Sequence, residues 1–391
     1  MDENQKLISH PNEFYPLGII PMAGATELSK KIDQHLTAWY HNLYPEYKED
    51  PEVRDTTLLE VTCPRFTSGD GKAVLKQSVR GNDIFIITDM GNYACEYEMF
   101  GRKVPMSPDD HYQDLKRIIQ AMAGKAYRIS VIMPTLYGGR QHKRSSRESL
   151  DCAVALQELE RIGVKNIITF DAHDPRVQNA TPFMGFDNVM PTYQVLKALL
   201  RKYKDMNLDK DHLMIVSPDE GAMNRNIYYA SVLGVDLGMF YKRRDYSTVV
   251  NGRNPIVAHE YMGNSVAGKD ILVADDIIAS GESMLGLAYE LKEKGARRIF
   301  VTATYGLFTE GLDKFQKAID DGAITGILTT NLTYQSPDLL AKDWYTSVDC
   351  SKYIAYYILA MHENQSVSKL LDPHKKIDAL LEKYKKEQGA N

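Results

Sequence analysis

The sequence has few cysteines and no long apolar run, which argues against a disulfide-rich secreted protein and against a membrane-spanning protein. Four cysteines among 391 residues (Cys63, Cys95, Cys152 and Cys350) lie far apart, which favours free thiols in a reducing compartment over a disulfide framework or metal site. No apolar run approaches the roughly 18 residues of a membrane span. The opening stretch MDENQKLISHPNEF lacks the basic and apolar regions of a signal peptide. We therefore expect a cytoplasmic protein without a membrane partner.

An excess of charge of one sign is also missing. The formal net charge is -5 at pH 7, which gives no support to binding of nucleic acid or of a membrane surface. Hydrophobic residues make up 43% and charged residues 25%, values that are ordinary for a globular protein. At 391 residues, the chain is long enough for two domains.

Short apolar runs rich in β-branched residues predict buried parallel strands. Segments of helical period alternate with many of them, as at 149–163, 193–203 and 282–295. This alternation predicts βαβ units and an α/β fold with a central parallel sheet flanked by helices. The predicted strands are 83–88, 128–134, 166–171, 212–219, 270–276, 298–306 and 324–330.

Two segments do not fit this alternation. Residues 89–116 are too polar and irregular for a core, which predicts a long surface insertion, and long ordered loops are often functional. The charged, amphipathic tail DPHKKIDALLEKYKKEQGAN predicts an exposed terminal helix that frays.

The stretch ILVADDIIASGESM places polar groups where a predicted strand meets a helix. Asp275 and Asp276 end an apolar run, and Ser280–Ser283 lead into a segment of helical period. Ligands of open α/β sheets bind at that edge. Small residues leave backbone N–H groups and hydroxyls free to surround a phosphate at a helix N-terminus, and paired acids can accept ribose hydroxyls.

Charged side chains follow other predicted strands as well. Carboxylate oxygens suit Mg²⁺, and Arg and Lys neutralise phosphate oxygens, so the combination indicates a polyphosphate held with Mg²⁺. Taken one at a time, His173 and the run Lys242–Arg244 have ordinary structural explanations. The clusters comprise Arg140, Gln141, Lys143, Arg144 and Arg147; Asp171, His173 and Asp174; Asp219 and Arg225; and Lys242, Arg243 and Arg244.

In their order, these motifs resemble the ribose-phosphate pyrophosphokinase (phosphoribosyl pyrophosphate synthetase) family from about Phe66 to Leu371. PRFTSGDG resembles the family's nucleotide loop, YGGRQHKR its Tyr-x-Arg-Gln-Asp loop, and TFDAHDPRVQ its Asp-x-His segment. IVSPDEGAMNR resembles its Ser-Pro-Asp-x-Gly segment and GMFYKRRDY its catalytic Lys-x-Arg loop. VADDIIASGES resembles the phosphoribosyl pyrophosphate loop that the family shares with type I phosphoribosyltransferases.

The resemblance implies two similar α/β domains of the type I phosphoribosyltransferase kind, each with a central parallel sheet. We expect an N-terminal domain over 1–190, with the nucleotide loop and the insertion, and a C-terminal domain over 191–391, with the ribose-5-phosphate loop and the terminal helix. The implied activity is ribose-phosphate diphosphokinase, with ATP and ribose 5-phosphate as substrates and Mg²⁺ as cofactor. A homo-oligomer, dimer or hexamer, is also implied.

Roles for individual residues follow from the same resemblance. Lys242 and Arg244 would act on the transferred group, and His173 and Asp219 would serve the metal–nucleotide site. Asp275 and Asp276 would hold the ribose hydroxyls, and the 5-phosphate would lie against Ala279, Ser280, Gly281, Glu282 and Ser283. The ATP-binding residues would be Phe66, Ser68, Asp70, Arg140, Gln141 and Arg147.

The sequence departs from the family pattern at three positions. Ser68, His142 and Ala279 each stand where the family usually has an acid. Three alternatives stay open: a type I phosphoribosyltransferase, which would use the same phosphoribosyl pyrophosphate loop, a non-catalytic regulatory paralogue of the synthetase, and a generic anion-binding module, which only the conjunction of motifs excludes. Retention of Lys242 and Arg244 speaks against the paralogue.

Overall fold

The structure is a computed structural model that describes residues 16–43, 55–244 and 256–389. These residues form two compact units. The first contains the described residues as far as Met190, together with Asn331–Tyr334 and Asp349–Asp372. The second contains the described residues of Pro191–Thr330, Gln335–Val348 and those from Pro373 onward.

A five-stranded parallel sheet organises the first unit, with two small antiparallel pairs. The strands are β1 (Leu17–Pro21), β2 (Val61–Thr62), β3 (Val74–Leu75), β4 (Asp83–Ile87), β5 (Glu96–Met99), β6 (Arg102–Pro105), β7 (Arg128–Ile132), β8 (Asn166–Phe170) and β9 (Gly185–Val189). The sheet has the order β1-β4-β7-β8-β9, and the antiparallel pairs are β2–β3 and β5–β6. Because the sheet is parallel, the segments that follow β4, β7 and β8 emerge at one edge.

The second unit contains a seven-stranded sheet. Its strands are β10 (Leu213–Ser217), β11 (Asp236–Arg244), β12 (Ile256–Met262), β13 (Asp270–Ile278), β14 (Arg298–Gly306), β15 (Gly326–Thr330) and β16 (Tyr345–Val348). The order is β12-β11-β10-β13-β14-β15-β16, and β12 runs antiparallel to β11 while the other neighbours are parallel. After β10 the chain adds β11 and β12 on one side of the sheet, and from β13 onward it adds strands on the other side. The strand order therefore reverses between β10 and β13.

Helices flank both sheets. Ile271 and Val273 of β13 lie in one apolar cluster of the second unit, and Leu272 and Ala274 lie in another, so both faces of this sheet are buried. In chain order the helices are α1 (Thr26–Leu43), α2 (Pro108–Met122), α3 (Asp151–Arg161), α4 (Thr192–Lys202), α5 (Met223–Leu233), α6 (Glu282–Glu293), α7 (Asp313–Asp320), α8 (Pro337–Leu340), α9 (Ser351–His362), α10 (Ser368–Leu371) and α11 (His374–Gly389).

The predicted fold class is confirmed, because each unit has a central sheet of mostly parallel strands with helices on it. All seven predicted strands occur, with ends that move by a few residues, and the three predicted helices correspond to α3, α4 and α6. One shift matters for function. β13 continues to Ile278, so Asp275 and Asp276 lie two residues inside the strand and are not its last residues, as the predicted range 270–276 implied.

The prediction of a surface insertion at 89–116 is wrong for residues 108–116. Residues from Pro108 onward begin α2, which buries Tyr112 and Leu115 in the core of the first unit. Ser107 starts this helix through a capping box with Asp110, which explains the polar sequence at that point. Only the hairpin β5–β6 has the exposed, polar character that was expected.

The C-terminal helix does not lie free, contrary to the prediction. Ile377, Leu381 and Tyr384 of α11 are buried in a core cluster of the second unit. The Tyr384 hydroxyl oxygen accepts a hydrogen bond from the Met206 backbone N–H at 3.0 Å. The charged residues that suggested fraying occupy the outer face of an otherwise packed amphipathic helix.

Two segments of the predicted C-terminal domain lie in the first unit instead. Tyr356 of α9 stacks on Trp39 of α1, with ring centroids 4.2 Å apart. Asp89, after β4, accepts hydrogen bonds from the Thr333 hydroxyl at 3.0 Å and from the Tyr334 N–H at 2.7 Å. These contacts join residues far apart in sequence, and composition gave no signal for them. In the part of the chain that the structure describes, no helix has the length and apolar character needed to cross a membrane.

Candidate active site

The reversal of strand order in the second unit brings two functional segments side by side. β10 and β13 are parallel neighbours, with Val216 opposite Val273. Asp219 follows β10, and Asp275 and Asp276 lie near the end of β13. Ligands of open α/β sheets bind at such a switch point, outside the carboxyl ends of the strands. The fold therefore presents three carboxylates at the expected place.

Asp275 and Asp276 form an interacting pair of carboxylates. Consecutive strand residues face opposite sides of a sheet, and the Asp275 side chain is 25% exposed while Asp276 is only 7% exposed. The Asp276 N–H donates to Asp275 Oδ1 at 2.8 Å. Arg225 Nη1 lies 3.7 Å from the same oxygen and supplies opposite charge.

Burial raises the pKa of Asp275 above the ordinary range of a carboxyl group. The neighbouring negative charge of Asp276 adds to the rise, and Arg225 offsets part of it. A buried and a half-buried acid side by side favour a ligand that brings hydroxyl donors to the pair.

Asn226 of α5 connects the two strands beneath this site, because its Nδ2 also donates to the hydroxyl oxygen of Ser217, the last residue of β10, at 3.3 Å. It is fully buried, and its Nδ2 donates to the Ala222 and Ala274 carbonyl oxygens, each at 2.8 Å. Its Oδ1 accepts the Ala274 N–H at 3.3 Å, directly before Asp275. Asn226 therefore holds the backbone that presents the carboxylate pair. Sequence inspection missed this residue, because an asparagine within a helix carries no motif.

We expect Asn226→Ala to lower the free energy of unfolding by about 2–4 kcal/mol, because several buried polar groups lose their partners. The same change should weaken ligand binding at Asp275. Chemical denaturation measures the stability change. Asn224→Ala, at an exposed position of the same helix, is the matched control and should cost less than about 0.5 kcal/mol. Equal stabilities of the two variants would contradict the bridging role.

The segment Ala279–Ser283 forms a turn that opens α6. Gly281, directly before the helix, has a φ of +83°, and a Cβ there would overlap the Phe315 ring. The Leu285 N–H donates to the Gly281 carbonyl at 2.8 Å, and the Thr309 N–H donates to the Ala279 carbonyl at 3.0 Å. The first N–H groups of a helix have no carbonyl partner within it, and the helix dipole adds positive potential there. This end of α6 can therefore bind an anion.

The predicted nucleotide loop lies between β2 and β3 of the first unit. It is a tight turn in which the Phe66 N–H donates to the Asp70 carbonyl at 2.7 Å, with Gly69 at a φ of +96°. The Ser68 hydroxyl donates to Asp70 Oδ2 at 2.8 Å. The Phe66 ring is 57% exposed, and Lys72 Nζ lies 5.8 Å from its centroid. The turn thus presents one aromatic face.

A buried ion pair anchors this loop to α2. Arg65 donates to both carboxylate oxygens of Asp114, each at 2.8 Å, and Arg117 donates to Asp114 Oδ1 at 2.8 Å. Bidentate pairs of this kind fix geometry as well as charge. Sequence analysis missed Arg65 and Asp114, since 49 residues separate them.

The second nucleotide segment follows β7. Tyr137 stacks on Tyr112 of α2 with ring centroids 4.2 Å apart, and its hydroxyl donates to Asp109 at 2.7 Å. Beyond this anchor, Arg140 and Arg147 are exposed, and Gln141 Nε2 donates to the Ser149 carbonyl at 3.0 Å. Exposed guanidinium groups on an anchored loop are available to phosphate oxygens.

The departure at His142 places an imidazole beside an acid. His142 Nε2 lies 3.4 Å from Asp174 Oδ2, and its ring centroid is 5.4 Å from that of His173, which follows β8. Hydrogen bonds from Arg176 lower the pKa of Asp174, so this carboxyl is ionised at neutral pH. The family motif has an acid at this position, so the replacement by His142 removes one negative charge from the loop.

The remaining predicted residues are positioned only in part. Lys242 and Arg244 are the last residues of β11, before the undescribed stretch 245–255, and the backbones of Lys242 and His259 are paired. His173 belongs to the first unit and Asp219 to the second. Among residues 16–43, 55–244 and 256–389, no group of three or more acidic, histidine or cysteine side chains is arranged to hold a metal ion.

Comparison with known proteins agrees with this architecture. Residues 17–163 match the model of the N-terminal domain of ribose phosphate pyrophosphokinase, and residues 249–372 match that of the phosphoribosyl synthetase-associated domain. A crystal structure of phosphoribosylpyrophosphate synthetase from Mycobacterium smegmatis shares the fold, with a TM-score of 0.70 and 21% identity over 89% of this chain and 99% of that one.

Curated relatives carry the same name. The chain is 28% identical to the ribose-phosphate pyrophosphokinase of Vibrio cholerae over 81% of its own length and 92% of that protein. It is 27% identical to that of Corynebacterium efficiens over 88% of its length and 98% of the relative. The two family models, the relatives and the fold agree, and the chain belongs to the ribose-phosphate pyrophosphokinase family of enzymes.

Proposed function

We propose that the protein is a ribose-phosphate diphosphokinase. It transfers the β,γ-pyrophosphoryl group of Mg-ATP to the anomeric hydroxyl of ribose 5-phosphate, which yields phosphoribosyl pyrophosphate and AMP. The observation that carries the proposal is the carboxylate pair Asp275–Asp276 placed directly before the anion-binding turn of α6. A sugar phosphate offers the hydroxyls and the phosphate that these two features bind.

In this proposal, ribose 5-phosphate occupies the end of β13. The ribose hydroxyls donate to Asp275 and Asp276, and the 5-phosphate accepts hydrogen bonds from the turn Ala279–Ser283 and the first N–H groups of α6. Ala279, where the family usually has an acid, leaves the turn with less negative charge. Binding of a dianionic phosphate is favoured by that loss.

ATP binds the loops of the first unit. Phe66 supplies an aromatic face for the base, with Ser68 and Asp70 in the same turn. Arg140 and Arg147 neutralise phosphate charge, and Gln141 contributes polar contacts. The anchoring of both loops on α2 supports this assignment, because a fixed loop loses less entropy when a ligand binds.

Mg²⁺ is the cofactor that this chemistry requires. Magnesium usually binds through one or two carboxylates together with substrate phosphates and water. We propose Asp219, partly exposed after β10 of the second unit, and His173, exposed after β8 of the first, as the residues that serve the metal–nucleotide complex. Bound with ATP, the ion supplies neutralisation of the polyphosphate charge.

Lys242 and Arg244 act in the transfer step. The anomeric hydroxyl attacks the β-phosphorus in line, and the two cations neutralise charge on the transferred oxygens. Phosphoryl-type transfer depends mainly on positioning and charge, so no side chain is assigned as a general base. The reaction takes place in the cytoplasm, and we propose that the active form is a homo-oligomer.

One assay separates this function from its alternatives. Purified protein is incubated with Mg-ATP and ribose 5-phosphate, and AMP is measured together with phosphoribosyl pyrophosphate. Equal amounts of both products are expected. A type I phosphoribosyltransferase would instead consume phosphoribosyl pyrophosphate with a nucleobase, and a regulatory paralogue would form neither product. Either outcome contradicts the proposal.

The carboxylate pair makes ribose 5-phosphate binding depend on pH. Ionised Asp275 accepts hydrogen bonds from hydroxyls more strongly than the protonated acid does, and its pKa is raised, so affinity should increase as pH rises through that pKa. Asp276→Asn removes a negative charge that repels ionised Asp275. The increase in affinity with pH should therefore occur at lower pH in this variant. The same change should also weaken binding roughly 10- to 150-fold, the scale of a lost hydrogen bond to a charged group.

Calorimetric titration across pH measures both effects. The phosphate of the ligand itself titrates near pH ~6, but it does so equally with both proteins, so the difference between their profiles reports Asp275. An unchanged profile with unchanged affinity would mean that the pair does not contact the sugar.

A further inference from the structure

The hairpin β5–β6 carries an aromatic residue in an unfavourable backbone conformation. Its two-residue turn consists of Phe100 and Gly101, with φ values of +49° and +70°. Hairpin turns with positive φ at both positions favour Asn, Asp or Gly, because a bulky side chain is strained there. Phe100 is also 77% exposed. Neither packing nor turn geometry therefore explains a phenylalanine at this position.

The same hairpin contacts the nucleotide loop along its length. The Phe100 N–H donates to the Thr67 carbonyl at 2.9 Å, next to Phe66. The Arg65 guanidinium lies 5.1 Å from the centroid of the Tyr97 ring. Met99 occupies the space beside Gly69, where a Cβ would lie 2.6 Å from its sulfur. Turn, strand and loop thus form one assembly within the first unit.

That assembly is fixed from below by α2. Asp114 holds Arg65 through two hydrogen bonds, and the Tyr97 hydroxyl donates to Asp110 at 3.3 Å. The two exposed aromatic rings of this assembly, Phe66 and Phe100, therefore lie on neighbouring segments, the nucleotide loop and the hairpin, that are both held by α2. Strained residues that the surrounding structure over-determines cluster at ligand sites.

We propose that the hairpin tip belongs to the nucleotide site and that Phe100 provides a second aromatic contact to the nucleobase, beside Phe66. This inference rests on the proposed use of ATP. A planar purine gains from aromatic contacts, and such stacking tolerates different bases because each has a π-face. Tyr97 is a positioning residue that holds Arg65 and hence the loop.

The test exploits the strain at residue 100. Phe100→Asn suits a positive φ, so its melting temperature should equal or exceed that of the wild type. ATP binding, measured by calorimetry without ribose 5-phosphate, should nevertheless weaken about 5- to 100-fold. Phe100→Tyr keeps the ring and should bind ATP like the wild type. The KM for ribose 5-phosphate should not change in either variant.

Further variants separate contact from support. Tyr97→Ala should raise the Kd for ATP about two- to fivefold, and Tyr97→Phe, which keeps the ring under Arg65, should not. Tyr127→Ala is the matched control, since this half-exposed ring precedes the N-terminal end of β7, whereas the hairpin follows the C-terminal end of the neighbouring strand β4. An unchanged Kd for ATP in Phe100→Asn overturns the inference. If the oligomeric state of this variant changes while its Kd for ATP does not, the inference is overturned as well, because Phe100 then serves contacts between subunits. Absence of AMP formation by the wild type would refute the proposed function itself.

Discussion

Replacement of Lys242 or Arg244 by alanine is expected to lower kcat about 10²- to 10⁴-fold. That is the scale of losing one preorganised donor that stabilises charge in the transition state. The KM for ribose 5-phosphate should change far less, because we propose that this substrate binds to the carboxylate pair and the turn of α6 and not to these two side chains. Steady-state kinetics on purified variants, with AMP formation as the readout, measures both constants.

Arg243 offers a matched control within the same strand. It lies between the two proposed catalytic residues in β11 and has the same charge, but the family motif Lys-x-Arg assigns it no role. Arg243→Ala should therefore keep kcat within about threefold of the wild type, as expected for a charge outside the transition state. Turnover near the wild-type value in both Lys242→Ala and Arg244→Ala would rule out the assignment.

Gly281→Ala is expected to abolish most binding of ribose 5-phosphate. A side chain at this residue must tolerate a φ of +83° and would overlap the Phe315 ring, so the turn before α6 has to move. The phosphate would then lose at least two hydrogen bonds, which corresponds to a loss of affinity of about 10²- to 10⁴-fold. Calorimetric titration with ribose 5-phosphate measures this loss.

Two companions keep this prediction open to refutation. Gly286→Ala adds the same methyl group to α6 where, among the described residues beyond the helix's own backbone, no atom lies within 4 Å. Helix propensity then predicts a gain of up to about 1 kcal/mol with normal binding. Ser283→Ala changes an exposed member of the turn and should weaken binding about tenfold even if Gly281→Ala fails to fold. Normal sugar-phosphate affinity in Ser283→Ala and Gly281→Ala would place the phosphate elsewhere.

The sequence alone was enough to predict the α/β fold and the turn that opens α6, which we propose binds the sugar phosphate. Both depend on local chemistry. Apolar runs buried on two faces form parallel strands, and small polar residues between a strand and a helix leave N–H groups available. The run at 270–276 and Ser280–Ser283 therefore carried their own structural information. The predicted roles of individual residues, such as Lys242 and Arg244, came from the resemblance to the family, because local chemistry does not assign them.

Only the tertiary structure decided how these segments are held. Asn226 bonds the backbone before Asp275, Asp114 fixes Arg65, and Phe315 fills the space under Gly281. The stretch that forms α2 looked too polar for a core. It can pack there because Asp110 takes part in a capping box and Asp114 accepts hydrogen bonds from Arg65 and Arg117. Apart from the capping box and Arg117, these partners lie tens of residues apart, so their pairing depends on the packing of the whole unit, which no local pattern encodes.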